Sequence, residues 1–266
     1  MIAVLRLGST GVGVQNWQRF LNAERGNEAR ENETNASLSL RSAVHGTLVV
    51  VDGAFGPKTK AATEAWQRAH GLLADGMVGK NTRTLAQGKG YIPFLPARNY
   101  TPSRARTIEV IVIHDMEYPE KPDSAMWCAE FFAGPAAPKA SAHYSVDNRA
   151  IVQSVADHDV AWHAPGTNAN GIGIEHAGYA KQSRDEWLDD YSRSELAVSA
   201  ALVRRLAATY GIPIQWLGAD ALKIRGARGI TGHRDVSLAF GGTHWDPGPN
   251  FPIEVYLDLI RSGEPR

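Results

Sequence analysis

The sequence is poor in cysteine, in net charge and in long apolar runs. Its 266 residues hold one cysteine, Cys128. That excludes an intrachain disulfide and any Cys-rich zinc knuckle, and it suits folding in a reducing compartment. Lys plus Arg number 28, as do Asp plus Glu, so the formal charge cancels. Without a net basic field, a protein held mainly by nucleic-acid phosphates is disfavoured. No stretch approaches the roughly 18 apolar residues of a membrane-spanning helix. Met1 to Gln15 has no basic start, apolar run or small-residue cleavage site, so a secretory leader is not expected. With 43% hydrophobic and 21% charged residues, the chain can bury a core and is not disordered. The length suits one large domain or two unequal ones.

The first third contains an internal echo. Asp52-Gly53-Ala54-Phe55-Gly56-Pro57-Lys58-Thr59 is matched by Asp75-Gly76-Met77-Val78-Gly79-Lys80-Asn81-Thr82. Both read D-G-x-(apolar)-G-x-x-T. Asp-Gly makes a tight turn, the apolar residue plugs a core, and Thr lies near the start of a helix. Val14, Trp17 and Leu21, then Ala62, Ala65, Trp66 and Ala69, recur at helical spacing. A small three-helix domain over residues 1–87 is expected. Residues 22–47, rich in Asn and Glu with little periodicity, read as an exposed excursion or hairpin. Residues 88–106, with Gly88, Gly90, Pro93, Pro96 and Pro102, read as a semi-extended linker.

Residues 107–266 alternate strand and helix signals. Ile108–Ile113 and Ile172–Ile174 are short apolar, β-branched runs of the kind found in buried central strands. Tyr144–Val146 and Ile151–Val155 flank Asp147-Asn148-Arg149, a hairpin turn. Ser192 and Glu195 have the spacing of a capping box. The helix after them stops at Gly211, with Pro213 beyond. A last helix is expected near Ile253–Ile260. The alternation implies an α/β fold class, a mixed central sheet with packed helices, plus the small N-terminal helical domain.

Polar residues end several of these apolar segments. His114 follows Ile108–Ile113, His233 follows Gly229-Ile230-Thr231-Gly232, and Asp246 sits in His244-Trp245-Asp246-Pro247-Gly248-Pro249. Two imidazoles and a carboxylate can hold Zn²⁺ and leave a fourth position for water. Pro247 restricts the backbone at Asp246. Glu175 ends the run Gly171-Ile172-Gly173-Ile174, where a carboxylate is costly without a partner or a task. Beside a metal-bound water it could act as general base; paired to an arginine it would be structural.

The large domain resembles the zinc-dependent N-acetylmuramoyl-L-alanine amidases, the type-2 amidase and peptidoglycan-recognition fold. The matching runs are Val112-Ile113-His114, Ala140 to Asp147, Ala161-Trp162-His163-Ala164, Asn170 to Glu175, Gly232-His233-Arg234-Asp235 and Asp246-Pro247-Gly248-Pro249. The small domain is similar to peptidoglycan-binding domains of cell-wall hydrolases, through the doubled turns, and residues 22–47 depart from that pattern as an insertion. The combination resembles a bacteriophage endolysin.

The resemblance implies one catalytic Zn²⁺ on His114, His233 and Asp246, with Glu175 activating water. It implies cleavage of the amide bond between N-acetylmuramic acid and the L-alanine of the stem peptide. Many relatives carry Lys two positions before the last ligand, to steady the oxyanion; here that place is held by His244. A Tyr that some relatives carry is replaced by Ala142. The expected partner is bacterial peptidoglycan, with no nucleic acid or membrane, and the expected protein is a monomer. It would be made in the host cytoplasm without a signal peptide and act on the wall after release. His143 and His163 stand between a place in the substrate groove and a buried or second-line position. Arg234 and Asp235 are candidates to orient His233. Three rivals stay open: a recognition protein without activity, an endopeptidase cutting elsewhere in the stem, and a cysteine peptidase using Cys128 with His143.

Overall fold

Doubled Asp-Gly turns and buried strands sort into separate bodies in the computed structural model, which describes residues 2–34 and 48–263. One unit is Met1–Phe94 and the other Leu95–Arg266.

The first unit is built on α1 (Val12–Thr34), α2 (Pro57–Ala69) and α3 (Lys80–Gln87). Trp17, Phe20, Leu21, Trp66 and Tyr91 form its core, with Phe55 and Val78, the apolar residues of the two turns, inserted among them. Each turn is held by a glutamine one helix earlier. Gln18 donates to Asp52 Oδ1 (2.8 Å) and the Ala54 carbonyl (3.1 Å), and accepts from Gly53 N–H (2.9 Å). Gln67 donates to Asp75 Oδ1 (3.0 Å) and the Met77 carbonyl (2.9 Å), and accepts from Gly76 N–H (2.9 Å). Trp17-Gln18-Arg19 and Trp66-Gln67-Arg68 are therefore a second half of the repeat, beyond the turns. Gln18 precedes its aspartate by 34 residues and Gln67 by 8. The difference, 26, is the length of the segment 22–47. Within that segment α1 continues to Thr34, so its first half is helix rather than a hairpin; residues 35–47 lie outside the described residues.

In the second unit, β1 (Tyr100–Thr101) pairs with β5 (Val160–Ala161). The main sheet holds β2 (Val110–Asp115), β3 (Tyr144–Val146), β4 (Ile151–Gln153), β6 (Gly171–His176) and β7 (Gly229–Gly232), in the order β4-β3-β6-β2-β7. β3, β6, β2 and β7 are parallel, and β4 is an antiparallel edge formed by the hairpin at Asp147. The helices are α4 (Ser124–Ala133), α5 (Asp190–Tyr210), α6 (Ala219–Leu222), α7 (His233–Phe240) and α8 (Ile253–Ser262). Side chains alternate across a strand. Val110 and Val112 pack with Leu217, Leu222 and Val236 on the α6–α7 face. On the other face His176 Nε2 meets Ser199 Oγ of α5 at 2.7 Å. Burial lowers the pKa of His176 to about 4.

Two local expectations change. α5 is capped by Asp189, whose carboxylate accepts from Ser192 N–H at 2.9 Å. Ser192 and Glu195 form no capping box. Ser192 Oγ donates to Glu120 and Glu195 accepts from Ala177 N–H at 2.7 Å, so tertiary partners took both side chains. The linker span divides as well. Leu95 and Ala97 N–H donate to Gln153 and Ser154 carbonyls, and Arg98 N–H to Phe132, so residues from 95 onward lie against the large unit. Among the described residues no helix is long and apolar enough to cross a membrane.

Candidate metal centre

Parallel strands end together, so the residues just beyond their apolar runs gather at one carboxyl edge of the sheet. His114 pairs in register with Glu175, and Ile113 with Gly232, directly before His233. Alternation puts His114 and Glu175 on one face. His233 opens α7 at the end of β7, with Gly232 as its N-cap. Asp246 arrives from a loop whose carbonyl accepts from Arg234 N–H at 2.8 Å. That loop is closely fitted: Gly248 has φ +93°, and a Cβ there would stand 1.9 Å from the Ala180 carbonyl oxygen. Its Asp246–Pro247 peptide is cis.

These elements bring three of the expected residues together. His114 Nδ1 lies 3.0 Å from Asp246 Oδ2, and His233 Nδ1 lies 3.2 Å from Asp246 Oδ1. One donor atom from each residue falls within 4.8 Å of the others, and all three residues are buried. A tetrahedral ion with ligands at about 2.0–2.1 Å places them roughly 3.3–3.4 Å apart. The donor set and spacing therefore fit such an ion, with one position left over. Burial pushes the Asp246 carboxyl up, but its bonds to His114 and His233 outweigh this and hold it below the usual carboxylate range. Burial holds His114 and, further, His163 below the usual imidazole range.

The Glu175 side chain has no hydrogen bond or ion pair among the described residues, so the arginine-paired alternative has no partner here. Burial, then the Asp246 and Asp115 carboxylates, push its carboxyl well above the usual range. His244 is 65% exposed, stacks on His233 with ring centroids 4.2 Å apart, and has Nδ1 3.7 Å from Asp246 Oδ1. It stands at the solvent side of the cluster.

Other candidates divide. His143 accepts from Gly173 N–H at 3.1 Å, and its Nε2 faces Arg104 Nη2 at 2.8 Å. Burial and Arg104 lower its pKa to about 3, which makes it a neutral packing residue. His163 Nδ1 meets His114 Nε2 at 3.1 Å. Asp235 accepts from Trp216 Nε1 at 3.0 Å. Cys128 is buried, and burial then Glu175 push its thiol well above the usual range, which removes the activated thiolate a cysteine peptidase needs. Sequence reasoning passed over Asp115, on the opposite face. Its Oδ2 is buried without a partner, and burial followed by Asp246 pushes its carboxyl to about 8. The signal for it was a carboxylate directly following an apolar strand.

Residues 104–249 match the N-acetylmuramoyl-L-alanine amidase family, and residues 10–85 match a peptidoglycan-binding domain family. N-acetylmuramoyl-L-alanine amidase A of Achromobacter lyticus is 28% identical over 178 residues, which cover 62% of this chain and 89% of that protein. A zinc D-Ala-D-Ala carboxypeptidase of Streptomyces albus G is 41% identical over 58 residues, 21% of this chain and 23% of that protein. Among solved structures, a selenomethionine derivative of AmpD is 22% identical with a TM-score of 0.48, covering 64% of this chain and 95% of that one. The Staphylococcus aureus hydrolase AmiA with its ligand is 19% identical with a TM-score of 0.47, covering 69% and 89%. The family match takes in more than half of the chain and spans His114, Glu175, His233 and Asp246, and the chain belongs to the N-acetylmuramoyl-L-alanine amidases, hydrolases of peptidoglycan.

Proposed function

We propose that the protein is a zinc-dependent amidase in which His114, His233 and Asp246 hold one Zn²⁺ and Glu175 moves the proton. The observation that carries this is the convergence of His114 Nδ1, His233 Nδ1 and an Asp246 carboxylate at one strand edge. When bound, the ion supplies a Lewis acid and lowers the pKa of a coordinated water toward about 7. Glu175, in register beside His114, takes a proton from the attacking water on its carboxylate. Water oxygen bonds to the lactyl carbonyl carbon, the carbon–nitrogen bond breaks, and Glu175 returns the proton to the L-alanine nitrogen. His244 donates to the carbonyl oxygen as negative charge grows there. The sugar stays intact and the stem peptide leaves.

The first unit, on this reading, binds wall polymer and does no chemistry, with residues 22–47 an insertion into it. Joining it to the amidase raises the effective concentration at an insoluble surface. Such a pairing suits a bacteriophage endolysin acting on a host wall as a monomer. A recognition protein without activity is disfavoured because each ligand position is filled and all three converge.

Metal analysis tests the reading. Purified protein should carry one zinc per chain, chelation should abolish hydrolysis of a soluble muropeptide, and added Zn²⁺ should restore it. Undiminished hydrolysis after verified metal removal overturns it, as does a zinc content unchanged in Asp246→Asn.

A further inference from the structure

His163 is held from several directions, and only one of its ring nitrogens is used. Its backbone N–H and that of Ala164 both donate to Asn168 Oδ1, at 2.9 and 2.7 Å. That bracket fixes the loop after β5. Its ring then lies flat on β6, where Gly173 leaves room. A Cβ at Gly173 would come within 2.6 Å of the His163 ring. Gly171 and Gly173 share a strand face, so the pattern Gly-x-Gly in β6 cuts a slot into the sheet. The His163 ring fills it, at 89° to the His114 ring. Its Nδ1 faces His114 Nε2 at 3.1 Å, whereas its Nε2 is buried with no hydrogen-bond partner.

A histidine kept only to fill space would be expected to satisfy both nitrogens or be replaced by an apolar ring, because an orphaned buried N–H costs about 1–3 kcal/mol. Here the orphan is tolerated and the nitrogen facing His114 is the one satisfied. Histidines that ligate metals usually donate their second N–H to a fixed acceptor, which sets tautomer and ring direction. His114 turns Nδ1 toward Asp246, so as a ligand it carries its proton on Nε2.

We infer that His163 is a positioning residue for the metal site: its Nδ1 accepts the Nε2–H of His114 and thereby holds Nδ1 of His114 toward the ion, while the Gly171–Gly173 slot holds His163. This rests on the ligand assignment under Proposed function. His163 touches neither substrate nor reacting atoms. The tautomers are then fixed: His114 protonated on Nε2, His163 protonated on Nε2 and unprotonated on Nδ1.

Two substitutions separate positioning from packing. His163→Phe keeps a ring in the slot and removes the acceptor. His163→Asn removes the ring and keeps an oxygen near the Nδ1 position. Zinc affinity is read by competition with a chromophoric chelator, alongside the melting midpoint of the metal-free proteins. Positioning predicts that His163→Phe weakens zinc binding about 10–100-fold, the usual loss for such an outer contact. His163→Asn should stay close to wild type even where its metal-free midpoint falls. A packing role predicts the reverse order, and equal affinity in His163→Phe and wild type overturns the inference. Absence of zinc binding by wild type would overturn the ligand assignment instead. Nitrogen NMR of zinc-loaded wild type needs no variant: a proton on His163 Nδ1 refutes the proposal even if a variant fails to fold.

Discussion

Replacing Glu175 with Gln should separate stability from turnover. The side chain keeps its shape, lies in the middle of the sheet edge, and loses no partner, since none is bound to it among the described residues. Its carboxyl is pushed up by burial, then by Asp246 and Asp115. A carboxyl whose folded pKa is raised contributes stability below its unfolded pKa and loses it as pH rises through the folded one. Above its unfolded pKa the buried carboxyl therefore lowers the stability of the metal-free protein relative to acid pH, and the neutral amide removes that loss. The metal-free melting midpoint of Glu175→Gln should equal or exceed that of wild type at pH 7, with the gap closing toward pH 4. Turnover should move the other way. Loss of a general base costs about 10²–10⁴-fold, equivalent to roughly 2.7–5.4 kcal/mol of barrier. The assay is release of stem peptide from a soluble muropeptide at matched zinc occupancy, with a thermal scan of each protein. A variant with near-normal turnover and full zinc would show that another group moves the proton. A variant that unfolds would show that Glu175 holds the sheet edge together.

His244→Lys should keep activity, because Lys also offers a donor and positive charge to the growing oxyanion, and His244→Ala should lose about 10²–10³-fold. Superimposable pH–rate profiles of the three proteins would make His244 a bystander. Gln67→Met should orphan the Gly76 N–H at a cost of about 1–3 kcal/mol, lowering the first unit's transition alone. Lysis of whole walls should then weaken on warming while soluble-muropeptide hydrolysis persists, and loss of both would show that the units depend on each other. Glu195 is buried, one oxygen lacks a partner, and burial pushes its carboxyl well above the usual range. Wild type should lose about 1.4 kcal/mol of stability per pH unit from this group as pH rises from its unfolded pKa through its folded one. Glu195→Gln should flatten that slope in denaturant titrations, and parallel slopes would mean that Glu195 is ionised in the native state.

Much of the large unit was legible because parallel strands are covered on both faces and read as nearly continuous apolar runs. Ile108–Ile113, Ile172–Ile174 and Gly229–Gly232 each led to a strand, and the residue just beyond each run reached the candidate site. Asp246 was legible through its fixed Asp-Pro-Gly-Pro context. His163 was legible as a candidate for the groove or for a place behind the ligands, but its partner was not, because its contact with His114 spans 49 residues and depends on a ring lying where Gly173 lacks a Cβ. Ser192 and Glu195 misled because local capping lost to tertiary partners, Glu120 and Ala177. In the first unit the turns were visible, but the glutamines that read them were not. The 26-residue segment separates Gln18 from Asp52 and hides the repeat from a simple offset.

The most direct measurement is mass spectrometry of the products from purified peptidoglycan digested by the zinc-loaded protein. The account predicts free stem peptides with a new amino terminus on L-alanine, and glycan strands whose N-acetylmuramic acid carries a free lactyl carboxylate. None should appear with His233→Ala or after chelation. Stem peptides cut internally, sugars cut at a glycosidic bond, or identical products from the metal-stripped protein would contradict it.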